Sequence, residues 1–187
     1  MSTQPAARPW TYEEFARLPD DGQRYEVIGG ELFVSPTPKA IHQKILMRLG
    51  AALEVFAVEH GVGEVFGPLD VLFGEEDYIA PDLVFVRRER IDIVTDRGAE
   101  GPPDLVIEVL SPKTAIRDRG IKRERYAHFG VPEYWIVDPT RRRIEVYRLR
   151  EDAERPAEIA SERLEWQPVP DGPVLTLDVH KLLRDFR

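Results

Sequence analysis

Residues 104–110, Asp-Leu-Val-Ile-Glu-Val-Leu, constrain the fold more than any other stretch of the chain. They are apolar, rich in β-branched residues and too short for a helix, so they read as a strand. A strand alternates faces with period two, which puts Asp104, Val106, Glu108 and Leu110 on one face. Glu108 therefore lies within an apolar run. A carboxylate buried there is costly unless a metal, a cation or a proton compensates it. The alternative is a carboxylate on a solvated strand face, paired to an Arg. Pro112 closes the strand, and Thr114 to Phe129 reads as a helix ended by Gly130 and Pro132.

The rest of the chain carries similar signals. Residues 1–10, with Pro5 and Pro9, read as a flexible lead-in, and residues 11–187 as one domain. Thr11-Tyr12-Glu13-Glu14 is a capping box opening a short helix that ends before Pro19. Arg24 to Ile28 and Glu31 to Ser35 flank Gly29-Gly30 as a tight hairpin. Ile41, Ile45, Leu49, Leu53 and Phe56 have the spacing of a long amphipathic helix over 39–60, with Gly61 as its stop. Leu69 to Phe73 and Asp82 to Val86 read as strands, and residues 87–103 as a loop. Glu133 to Val137 and Arg143 to Leu149 form a further strand pair. Glu151 to Pro173 reads as extended edge structure and Leu177 to Phe186 as a terminal helix. The order predicts a mixed α/β (α+β) domain.

Composition narrows the chemistry. The 187 residues include no Cys, which removes disulfides, Cys-ligated zinc, iron–sulfur clusters and thiol nucleophiles. No apolar run spans a membrane and the N-terminus lacks a secretory pattern, so a cytoplasmic protein is expected. A net charge of −8 argues against nonspecific coating of nucleic acid and leaves room for a local basic groove. Arg87-Arg88 with Arg90, the group Arg117, Arg119, Arg123 and Arg125, and Arg141-Arg142-Arg143 are candidates for that groove.

Asp82 opens a strand just after Pro81. Alone it reads as a turn residue. Together with Glu108 it can converge on a divalent cation, and oxygen ligands of this kind suit Mg²⁺ or Mn²⁺. Arg119, Lys122, Tyr126 and Phe129 share a helical stripe whose end can reach a site beside the strand; a snorkelling Lys over a packed Tyr is the competing reading. Only five of the 26 basic residues are Lys, so Lys122 is not the default cation of this chain. Glu26 and Glu31 on the hairpin, His42 at the start of the long helix and Asp70 are further candidates, each with a plain structural alternative. Ser111, His128 and Asp118 lack the nucleophile elbow that a hydrolytic triad needs.

Ala80-Pro81-Asp82, the block from Pro103-Asp104 through Glu108 to Ser111-Pro112, Lys122, Tyr126 and Gly130-Val131-Pro132-Glu133-Tyr134-Trp135-Ile136-Val137-Asp138-Pro139 together resemble the Uma family of restriction endonuclease-like domains. That family belongs to the PD-(D/E)XK nuclease superfamily. Tyr25 to Leu32 also fits, and the resemblance runs from about Thr11 to Leu149. It implies a restriction endonuclease-like core, a central mixed β-sheet flanked by helices with an N-terminal hairpin, and metal-dependent hydrolysis of DNA. Carried over residue by residue, Asp82 and Glu108 bind Mg²⁺ (or Mn²⁺) and Glu31 supplies an extra acid, with Glu26 as its competitor. The position two after Glu108 is Leu110, where the superfamily has a Lys. Lys122 is the relocated Lys, with Lys113 as second candidate, and His42 and Tyr126 match further family positions. The resemblance also implies a homodimer; from their edge-like character, the strands near Arg143 to Leu149 and residues 157–166 are the candidate interface. A catalytically silent module of the same fold, binding DNA or a protein partner, is the alternative.

Overall fold

Gly29 and Gly30 both adopt positive φ (59° and 80°), the conformation of a two-residue hairpin turn whose twist matches that of the strands. The hairpin closes with Ile28 opposite Glu31. The capping box forms as expected, Thr11 accepting from the Glu14 amide and Glu14 reaching back to the Thr11 amide. The long helix ends on Gly61 in the left-handed conformation.

The computed structural model describes residues 8–35, 37–74 and 76–185; of the lead-in expected over residues 1–10, residues 1–7 lie outside them. Trp10 donates its amide to the Gly30 carbonyl, so the chain is already tied to the hairpin there. In chain order the elements are α1 (Tyr12–Phe15), β1 (Arg24–Ile28), β2 (Glu31–Ser35), α2 (Ala40–His60), β3 (Gly63–Phe66), β4 (Val71–Leu72), β5 (Tyr78–Ile79) and β6 (Leu83–Arg87). A 3-10 segment (Arg88–Ile93), β7 (Val94–Thr95), β8 (Gly98–Ala99) and β9 (Leu105–Val109) follow. Then come α3 (Ala115–Arg117), a π-type segment (Asp118–Lys122), α4 (Arg123–His128), β10 (Glu133–Asp138), β11 (Arg143–Arg148), β12 (Glu158–Ala160), β13 (Arg163–Trp166), β14 (Leu175–Asp178) and α5 (Val179–Leu182).

The central sheet has the order β12-β11-β10-β9-β6-β3. It is mixed: β9 and β10 run parallel, and the other neighbours antiparallel. A second sheet, β2-β1-β5-β4-β8-β7, covers one face. Strand alternation sorts the core accordingly. Leu105, Ile107 and Val109 pack with Ile45, Leu49 and Leu53 of α2 and with Trp166 and Leu182 from the C-terminal elements. Val106 points the other way, into Ile28, Ile79, Tyr126 and Tyr134 under the second sheet and α4. Glu108 shares its parity with Val106, and Asp82 with Val84, which packs in the same layer.

Several expected elements differ. The helix over 114–129 is broken, because Gly120 takes the non-helical angles φ −107°, ψ −106° and leaves a π-type segment between α3 and α4. Residues 175–178 pair with β13, so the terminal helix shrinks to Val179–Leu182; Phe186 lies outside the described residues. The strand at Leu69–Phe73 shortens to Val71–Leu72, and residues 87–103 hold a 3-10 segment and two short strands. β11 is interior, between β10 and β12, so its backbone offers no free edge to a second copy; β12 is the edge strand.

Candidate functional site

β6 and β9 pair with Leu83 opposite Ile107, and one step further along that register sets Asp82 level with Glu108. The two acids sit under the second sheet, each almost fully buried. Glu26, on the β1 face shared with Ile28, meets them from above and is also buried. The π-type segment brings Asp118 and Lys122 in from the side.

Lys122 is the hub. Its Nζ lies 2.6 Å from Glu108 Oε1, 2.6 Å from Glu26 Oε1 and 3.9 Å from Asp118 Oδ1. At 2% exposure it is buried outright, which for a Lys requires that its charge be matched. Tyr126, one helical turn on, donates its hydroxyl to the same Glu108 Oε1 at 3.0 Å. Asp82 is saturated. Its Oδ1 accepts from Arg24 at 2.7 Å, its Oδ2 accepts from the Val109 amide at 2.8 Å, and His42 Nε2 stands 3.0 Å from Oδ2. Arg117 lies 3.2 Å from Glu26 Oε2 and donates to Ser35. Two buried nitrogens at this site, His42 Nδ1 and Arg117 Nε, have no hydrogen-bond partner among the described residues. These side chains line a cavity of about 40 Å³, which adjoins a wider one of about 720 Å³ through Arg24 and Pro38.

The charges separate by environment. Burial pushes the Glu108 carboxyl well above the usual range; Lys122 opposes this, and Asp82, Asp118 and Glu26 add to it. Burial also acts on Asp82, but His42 and Arg24 outweigh it and hold the carboxyl at about 2. Burial raises Asp118 as well. Lys122 is held above its ordinary value because the Glu108, Glu26 and Asp118 carboxylates overcome its own desolvation. Four acids thus face three cations, Arg24, Arg117 and Lys122.

Of the residues singled out in the sequence, the fold brings together Asp82, Glu108, Lys122, His42 and Tyr126. Glu31 is not among them: it is exposed beside the hairpin turn, and Glu26 occupies the cluster. Lys113 does not line the cavity. Arg24, Arg117 and Asp118 complete the site. One Arg among 21 carries no compositional signal, and Asp118 enters only because of the break at Gly120.

The arginines considered for a basic groove are largely neutralised within the chain. Arg87 and Arg90 both bond Asp104, Arg119 bonds Asp138 and Glu145, and Arg125 bonds Asp77. Arg141, Arg142 and Arg143 pair with Asp138, Asp185 and Glu145, and Arg123 donates to the Glu154 carbonyl. Arg117 alone of that group points into the acid cavity.

A family model named Uma2, described as "Putative restriction endonuclease", matches residues 12–180. Among solved structures, a crystal structure described as a putative nuclease belonging to DUF820, from Anabaena variabilis, is similar at 22% identity and a TM-score of 0.76. The match covers 94% of this chain and 98% of that one, and at this identity it speaks for the fold. No curated protein matches the chain.

Proposed function

Because the chain belongs to the Uma2 family of restriction endonuclease-like proteins, we propose that it is a metal-dependent endonuclease that hydrolyses DNA phosphodiester bonds at the buried Asp82–Glu108 site. The observation that carries the reading is Lys122 within 2.6 Å of Glu108, beside a strand-borne Asp at the same level of the sheet. A buried Lys held against two acids has no purpose in packing alone, since an apolar residue would serve there at lower cost.

The residues fit a divalent ion in chemistry. Asp82 and Glu108 offer hard oxygen donors, the Glu108 carboxyl is pushed up by burial and neighbouring acids, and the cavity has room for an ion with little else. No group of three or more potential ligands stands gathered among the described residues. Mg²⁺ commonly uses one or two carboxylates and keeps its waters. Asp82 and Glu108 would hold it, with Glu26 as the third acid at the site; Glu31 is too exposed to join them. When bound, the ion lowers the pKa of a water and neutralises charge on the phosphate.

This chain's own groups do the remaining work. Lys122 offers an ammonium to an attacking oxygen or to a phosphoryl oxygen, where charge develops. Tyr126 fixes the Glu108 carboxylate by donating to Oε1. His42 and Arg24 hold Asp82 ionised and aimed. Cutting both strands of a duplex calls for two such sites, and so for two copies.

The alternative, a silent module that binds DNA or a protein partner, is favoured by one feature: both Asp82 oxygens already have partners. Calorimetric titration with Mn²⁺ separates the readings. The nuclease reading expects binding by the wild type and its loss in Asp82→Asn and Glu108→Gln; equal heats in all three proteins count against it.

A further inference from the structure

Seven large hydrophobic side chains are well exposed among the described residues, and three of them lie on one face of α2: Met47 at 71%, Val55 at 56% and Val58 at 61%. With the exposed Lys44 and Ala51 they fall within an arc of about 80° at 3.6 residues per turn. The spacing 44-51-58 is a heptad repeat, the pattern of a helix that pairs with another helix. The opposite face, Ile45, Leu49, Leu53 and Phe56, is already buried in the core, so this outer stripe is not left over from packing within the chain. Beside it runs an apolar groove of about 570 Å³ that includes Leu46, Gly50, Val65 and Phe66.

We propose that this face of α2 is where a second copy of the chain docks, with the two helices antiparallel about a two-fold axis at Ala51. The small Ala51 at the axis lets the helices approach closely. Met47 of each copy then packs on Val55 of the other, and both ends of the stripe are covered.

Charge selects this arrangement. Lys44 stands near one end of the stripe and Glu59 near the other, on the same flank. Antiparallel pairing places Lys44 of one copy beside Glu59 of the other, twice by symmetry. A parallel pair would set Lys44 against Lys44 and leave Glu59 of each copy with no lysine beside it, which is unfavourable. The interface rests on these contacts alone, so its failure would remove the pairing of two sites and leave single-strand cleavage at the Asp82–Glu108 site untouched.

Sedimentation equilibrium on the full chain tests it, with circular dichroism to verify that each variant folds. The wild type is expected to dimerise, and Ala51→Glu, which puts two like charges on the axis, to be monomeric. Lys44→Glu and Glu59→Lys should each weaken the dimer about tenfold or more, and the double variant should recover most of that loss because each copy then carries the swapped pair. A wild type that stays monomeric, a folded Ala51→Glu that still dimerises, or a folded double variant no better than the singles would overturn the proposal.

Discussion

Replacing Lys122 with Met keeps the volume of the side chain and removes its charge. Cavity formation therefore contributes little, and the loss is electrostatic. The ammonium sits 2.6 Å from both Glu108 and Glu26, and all three groups are buried. Stripped of it, these carboxylates and Asp118 face one another with Arg117 near Glu26 and Arg24 on Asp82 as the remaining cations. Breaking a buried pair by removing one partner costs about 3–5 kcal/mol, so Lys122→Met is expected to lose about that much. For a chain of this size that corresponds to a fall of roughly 10 °C in Tm. Urea unfolding followed by the fluorescence of the buried Trp135 and Trp166 measures it. Adding Glu108→Gln removes one of the stranded charges and should restore part of the loss, on the order of 1–2 kcal/mol. A single variant within about 1 kcal/mol of the wild type, or a double variant less stable than the single, would refute the claim that Lys122 is the charge that makes this acid cluster tolerable.

Three further predictions follow from the same geometry. Glu26→Gln should reduce cleavage of DNA at least tenfold, whereas Glu31→Gln, at an exposed hairpin position, should leave the rate within about twofold; initial rates of both variants check this. Asp82 titrates at about 2 in the fold against 3.8 for the free side chain, so it contributes stability above pH 4 that is lost as the pH falls toward 2. The contribution is about 2 kcal/mol, and Asp82→Asn should flatten that part of the stability–pH curve measured by urea unfolding. Arg90→Ala should leave DNA affinity and its salt dependence unchanged, because Arg90 is spent on Asp104 and the Pro102 carbonyl; a fall in the salt slope of about one would show a phosphate contact there.

The parts of the site that were legible in the sequence are those set by strand parity. Alternation alone places Glu108 with Val106 on one face, and the register of β6 against β9 brings Asp82 level with it. The Gly29-Gly30 hairpin and the long helix ending at Gly61 were equally readable, because each depends on local chemistry: positive φ in one case and a 3.6-residue apolar period in the other. The choice between Glu26 and Glu31 was not local. Both stand on a hairpin strand beside the turn, and Glu26 is selected because it shares a face with Ile28, which packs toward the central sheet, a fact of tertiary structure. The path of the chain between Thr114 and Phe129 was hidden for a different reason. The periodicity there is helical throughout, and one Gly interrupts it, so the break that carries Asp118 and Lys122 into the acids shows only in the backbone angles. The Arg clusters misled because charge runs reveal nothing about their partners: Asp104, Asp138 and Glu145 are remote in sequence from several of the arginines they neutralise.

No described helix is long and apolar enough to cross a membrane. Catalysis by the buried acids is what everything proposed for this site depends on. Nicking of supercoiled plasmid by purified wild type and Glu108→Gln, each with Mg²⁺ or Mn²⁺ and each with chelator, tests that claim most directly. Cleavage by the wild type that requires the metal and disappears in the variant is the predicted result. A Glu108→Gln protein that cuts at the wild-type rate, or a wild type whose cutting ignores the chelator, would contradict it.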